Sequence, residues 1–319
     1  MVSPQLTVYF YAGALAPAIG QDELCYHLMQ PKNYVRAGAV YEVPFSSNSL
    51  WPYLMHMLFT LGLLLEGDSL AKLFHFSTYV GTALGVYAFL RREADAKTAV
   101  YGLAGYSLIP TAFIQASFAY VDNALAFYIF LAAYSLYYFF KDQRFIWIAL
   151  AGIFAGFAAS VKMIGLFILP MFAAYAVLLF IKNKRPRRCL AGLTVFFLAF
   201  ITCGGLWYVR AWALRGNPVY PFYPDFFGGH GWKDTTYLFH GGKRGLVEFL
   251  FFPWNLTFRP QLFGGEQVGI IFLATLPLLI FTRPWPSWLR HVLFLGVAYA
   301  ALCFNFLGAI LPDSKIGEN

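Results

Sequence analysis

"FIWIALAGIFAGFAASVKMIGLFILPMFAAYAVLLFIKNKRPRR", residues 145–188, holds two apolar runs that meet at one lysine and end in a block of cations. The runs, 145–161 and 163–181, have the length of membrane-crossing helices, roughly 17 to 25 residues. The cations of 182–188 mark the second run's end as cytoplasmic by the positive-inside rule. Lys162 then sits in a turn at the opposite, outer face.

The same reading extends in both directions. Further apolar segments fall at roughly 4–20, 69–90, 98–118, 124–140, 190–208, 266–282 and 291–309, which makes about nine spans. Arg91, Arg92 and Lys97, then Lys141 and Arg144, and finally Arg283 and Arg290 occupy alternate connections. Three stretches are left facing out: 21–68, the short turn around Asp122, and 209–265. Leu50 to Leu65 is also apolar, but as a span it would bring Arg91 and Arg92 to the side of Asp22, so it reads as a helix lying in the interface. The expectation is one all-α, polytopic membrane domain over 1–319.

Composition excludes an ordinary soluble protein, because 60% of 319 residues are hydrophobic and only 12% are charged. The net charge of +8 is densest in 182–188, between two apolar runs, where it faces anionic lipid and not nucleic acid. Cys25, Cys189, Cys203 and Cys303 have no CxxC spacing and indicate neither a metal knuckle nor a disulfide framework. No cationic leader precedes the first apolar run, so no cleaved signal peptide is expected. Asn255-Leu256-Thr257 is a sequon of the kind that arises by chance. Tyr and Trp near span ends suit either an interfacial belt or stacking against sugar or base faces, and Gly152 with Gly156 is a GxxxG helix-packing surface.

Against this apolar background the ionisable residues stand out. Asp22, Glu23 and Asp122 fall at the outer ends of the first and third spans, where solvation or capping would be the ordinary explanation for a carboxylate. Lys162, embedded in "FAASVKMIGLF", and Arg210, after "CGGLWYV", are cations at outer span ends; snorkelling competes with function for both. Acids and bases on one face suit a reaction in which a hydroxyl attacks a sugar carbon and a lipid phosphate leaves. Asp22 would serve as general base, while Lys162 and Arg210 would meet the growing phosphate charge. Glu23 and His27, four apart, share a face if helical, and read as a hydrogen-bonded pair ahead of a metal site. Residues 214–232, rich in Pro and Gly, are expected to be extended and turned.

"DELCYHLMQPKNYVRAG", "YVDNALAFY", "GIFAGFAASVKMIGLF" and "RGNPVYPFYPDFFGG", in this order and topology, resemble the GT-C type membrane glycosyltransferases, in particular the bacterial branch grouped with protein O-mannosyltransferases and aminoarabinose transferases. The resemblance covers essentially the whole chain. It implies a bundle with interfacial helices in the first outer loop. The implied activity is transfer of a sugar from a polyprenyl-phosphate donor to a lipid, glycan or protein hydroxyl at the outer face of a bacterial inner membrane, with inversion. Asp22 is the implied catalytic base and Asp122 the assisting acid, and Glu23, His27, Lys162 and Arg210 contact substrate. Metal dependence differs among members, so a divalent cation stays open as a cofactor and no metal ligand is assigned. Members run longer, so their C-terminal part is expected to be missing here. The alternative is a non-catalytic carrier or flippase, which would need polar residues deep in the bundle and two related halves where there are few buried charges and no clear internal repeat, or an accessory subunit handling lipid-linked saccharides.

Overall fold

The computed structural model describes residues 13–43, 46–174, 186–228, 246–263, 267–281 and 284–310. It is an all-α membrane protein, with no strand among the described residues. Most of the expected first span, residues 182–185 of the basic run, the middle of the loop 209–265 and the C-terminal "PDSKIGEN" lie outside the described residues. The chain divides into two units, 1–166 with 186–208, and 167–185 with 209–319.

In the first unit, the stretch expected to be an outer loop is largely helical. A π-helical turn, Glu23–His27, leads into α1 (Met29–Ala37), which stops at Gly38 in the left-handed region, φ 63°, as a helix-ending glycine does. After a 3-10 turn comes α2 (Leu54–Leu65), whose 12 residues are too few to cross a bilayer, for which about 20 are needed. Most of the stretch Leu50 to Leu65, expected to lie in the interface, is therefore helical without being a span.

The long elements follow: α3 (Asp68–Glu93), α4 (Ala96–Ser107), α5 (Pro110–Gln115), α6 (Asp122–Asp142), α7 (Phe145–Val161) and α8 (Pro186–Arg215). By length and hydropathy α3, α6, α8 and, in the second unit, Ser287–Phe304 can each cross a membrane. With 17 residues α7 is at the lower limit, about 25 Å at 1.5 Å per residue. The count of nine remains a reading of the sequence.

Three expectations need correction. The span 98–118 is two helices, because Pro110 cannot donate to the ladder and starts α5 at its first position. The segment 266–282 is likewise divided, into Ile270–Thr275 and Leu278–Phe281, with Pro277 between them. The span 190–208 runs on to Arg215, so the first residues of the expected loop 209–265 are helical.

Helices α6 and α7 form an antiparallel hairpin about Gln143, whose backbone is left-handed at φ 56°. Helix α7 in turn lies against α8 through its glycines. A Cβ at Gly156 would stand 2.7 Å from the Phe200 carbonyl oxygen, nearer than real Cβ atoms come, and 3.0 Å from the Gly204 nitrogen, tighter than most. The GxxxG therefore packs helices, as read. The close approach lets Ser160 donate to the Cys203 carbonyl at 3.0 Å and Tyr208 to the Ala159 carbonyl at 2.7 Å.

At one end of this unit a core of Leu28, Met55, Phe59, Val121, Leu125 and Val161 gathers the first loop, α2, α6 and α7. It supports the candidate site. The second unit carries the proline-rich stretch 214–232, of which 229–232 lie outside the described residues; residues 214–215 end α8, and the rest up to 228 is turned apart from one helical turn, Pro224–Phe227. Buried Asn217 holds it, donating to the Phe222 and Gly228 carbonyls at 2.9 and 3.2 Å and accepting from the Val219 amide.

Candidate active site

The adjacent acids at 22 and 23 face opposite ways. Asp22 is exposed, whereas Glu23 is 0% exposed. The π-helical turn between them and His27 is a local departure from α geometry of the kind that is frequent at functional sites. The Tyr26 hydroxyl donates to Asp22 Oδ2 at 3.2 Å. Burial first, then the charges of Asp22 and Asp122, push the Tyr26 phenol well above its ordinary pKa, so both carboxylates act on one ring.

Glu23 is occupied entirely by backbone. Its Oε2 accepts from the amides of Ile19 and Gly20, both at 3.0 Å, and its Oε1 from that of Ala119 at 2.7 Å. A carboxylate only accepts, and three amide donors match it. The last of these bonds ties the loop bearing Asp22 to the turn leading into Asp122.

Asp122 is the first residue of α6 and Lys162 caps the C-terminus of α7. Because the two helices are antiparallel, these termini meet, and Lys162 Nζ donates to Asp122 Oδ1 at 2.8 Å. Both helix dipoles favour the charge placed there, each by about 0.3–1 kcal/mol. The side chains are 41% and 38% exposed, and an ion pair that wet contributes only about 0–1 kcal/mol, so stability alone does not account for it. The pair is open to an incoming molecule.

Glu23 and His27 do not bond each other, contrary to the spacing argument. In the π-helical turn His27 instead meets α2: its Nδ1 lies 3.0 Å from Nε2 of His56, with the rings stacked at 5.0 Å. Both imidazoles are buried. Burial, then the neighbouring His56 and Lys162, hold the His27 pKa well below its usual value, and burial drops His56 to about 3.

Helix α3 supplies residues that were not singled out in the sequence. Ser69, Lys72 and His75 recur every three positions. Ser69 donates to the Leu15 carbonyl at 3.2 Å, and Lys72 Nζ to those of Gly13 and Ala16, both at 2.8 Å. His75 Nδ1 lies 2.8 Å from the Phe118 carbonyl oxygen, and its Nε2 accepts from the Asn123 amide at 3.2 Å. The signal was in "LAKLFHFS": two ionisable side chains in a run otherwise read as a span.

Asp22, Glu23, His27, Asp122 and Lys162 thus all belong to the first unit, gathered around its Val121 and Val161 core, while Arg210 belongs to the second. Among the described residues no three His, Cys, Asp or Glu side chains are grouped to hold a metal ion.

The family model for dolichyl-phosphate-mannose-protein mannosyltransferase matches residues 47–204, a segment that contains His75, Asp122 and Lys162. The fold is similar to the crystal structure of ArnT from Cupriavidus metallidurans bound to undecaprenyl phosphate, with a TM-score of 0.65 at 20% identity, over 96% of this chain and 54% of that one. ArnT from the same organism in the apo state gives 0.57 at 16%, over 95% and 57%. The chain therefore spans about half the length of these structures. No curated protein matches it.

Proposed function

We propose that this chain, whose fold is similar to that of the ArnT structures, is a GT-C type membrane glycosyltransferase that transfers a sugar from a polyprenyl-phosphate carrier to an acceptor hydroxyl. The observation that carries the reading is an exposed carboxylate, Asp22, on a loop that Glu23 ties to the turn leading into the accessible Asp122–Lys162 ion pair. The ArnT structure with undecaprenyl phosphate supports a carrier of this class.

In this reading Asp22 takes the proton of the acceptor hydroxyl as its oxygen attacks the anomeric carbon. The carrier phosphate departs from the opposite face, so the anomeric centre inverts, and the C–O bond to phosphate breaks as the new one forms. Tyr26, donating to Asp22, keeps the carboxylate oriented without removing its second oxygen from the reaction. Lys162 stands ready for the phosphate, with Asp122 holding its ammonium until the donor arrives. Arg210, expected from the sequence as a second phosphate ligand, belongs to the second unit and is given no place in this geometry. By the positive-inside argument the reaction takes place at the outer face of a bacterial inner membrane, and the acceptor is a lipid, a glycan or a protein.

The test is transfer of radiolabelled sugar from polyprenyl-phosphate donors by the purified protein in detergent and lipid. Asp22→Asn should lower turnover by about 100-fold or more, in keeping with loss of a general base. Undiminished turnover would remove Asp22 from that role.

A further inference from the structure

His75 is a wholly buried ionisable side chain in a helix able to span a membrane, and the reaction just described makes no use of it. Its two ring nitrogens face two backbone groups of different kind. The Phe118 carbonyl can only accept and the Asn123 amide can only donate, so the imidazole must be neutral with its proton on Nδ1. This fixes both ends of the turn that precedes and begins α6.

Asp122 lies immediately before Asn123, inside the span that His75 clamps. The same turn is held from the other side, where Glu23 accepts from Ala119. Asn123 adds its own tie, its Nδ2 donating to the Ala112 carbonyl at 2.8 Å. One helical turn earlier on α3, Lys72 anchors the carbonyls just ahead of the Asp22 loop. Asp22 and Asp122 are thus borne by two loops that the same helix grips.

We infer that His75 is a positioning residue: it holds the 118–123 turn so that Asp122, and through it Lys162, presents its charge to the substrate in fixed geometry. The inference rests on the glycosyltransferase reading for its catalytic consequence, but the grip on the turn can be measured separately. A displacement of about 1 Å at such a group can cost on the order of 100-fold in rate.

The experiment compares full-length His75→Leu, His75→Asn and His75→Gln with the unaltered protein. Leu makes neither bond, Asn is long enough for one, and Gln carries a donor and an acceptor. Two readouts are taken: hydrogen–deuterium exchange of the peptide containing 118–123, and kcat and KM for the polyprenyl-phosphate sugar. Exchange should accelerate, and kcat should fall about 10- to 100-fold, in the order Gln, Asn, Leu, with KM for the donor changed by less than about twofold. Should His75→Leu fail to fold, the order of Asn and Gln decides the matter. Equal exchange and equal kcat in Asn, Gln and unaltered protein would overturn the inference. So would a loss in KM alone. Absence of transfer by the unaltered protein with every donor would count against the functional reading, and the exchange order would still decide whether His75 holds the turn.

Discussion

At the scale of single residues, chemistry was easier to recognise than orientation. Asp22, Asp122 and Lys162 stood out in sequence because charge in an apolar setting is costly and calls for a reason. That Asp22 and Glu23 would point apart, and that His27 would find His56 and not Glu23, depended on a π-helical turn that has no reliable sequence signature. The histidine pair has a consequence in solution. Both imidazoles stay neutral in the folded protein, His56 to about pH 3, whereas an unfolded histidine takes up its proton near 6.5. The unfolded state therefore binds more protons below that value. Stability is fully present above about pH 6.5 and is lost as pH falls towards the folded values, at about 1.4 kcal/mol per pH unit for each ring. The thermal midpoint in detergent should decline between pH 7.5 and 5.5, a range above the ordinary carboxylate pKa values. His27→Gln with His56→Gln should flatten the decline, and an equally steep slope in the double variant would assign it elsewhere.

At the scale of elements, hydropathy located helices but not their interruptions. The segment 145–161 matches α7 residue for residue, and 124–140 lies within α6. The expected span 98–118 failed at Pro110, where a missing amide outweighs continuous apolarity. The GxxxG in α7 was legible because helices in lipid need small residues for close packing. What sequence could not supply was its partner, the Phe200 to Gly204 surface of α8. Gly156→Val would drive its side chain into the Phe200 carbonyl and the Gly204 backbone, neither of which can rotate away. The overpacking should cost about 1–3 kcal/mol, read as a lower thermal midpoint, whereas Gly205→Ala, whose added carbon would have only the Ile201 side chain at 3.5 Å, should change little. Equal midpoints for the two variants would contradict this packing.

At the scale of the whole molecule, the alternation of apolar runs with cations in the sequence already puts Asp122 and Lys162 at one end. The antiparallel α6–α7 hairpin brings them into contact. Their absolute side rests on the positive-inside rule alone, and Cys25 offers a direct probe. It lies three residues after Asp22 and is exposed, whereas Cys203 and Cys303 are partly covered. With the other cysteines replaced, Cys25 should react with a membrane-impermeant maleimide added to intact spheroplasts, seen as a mass-tag shift on a gel. Reaction only after permeabilisation would turn the bundle over and put the chemistry on the cytoplasmic side.

The π-helical turn gives the opening acid pair an asymmetry of its own. Asp22 is left exposed at the start of the same turn that commits Glu23 to three amides in the interior. The two carboxylates differ by one methylene and one position, yet one meets solvent and the other is a rivet. Their order along the chain is therefore a directional instruction, and charge at this site cannot be conserved merely by keeping two acids side by side.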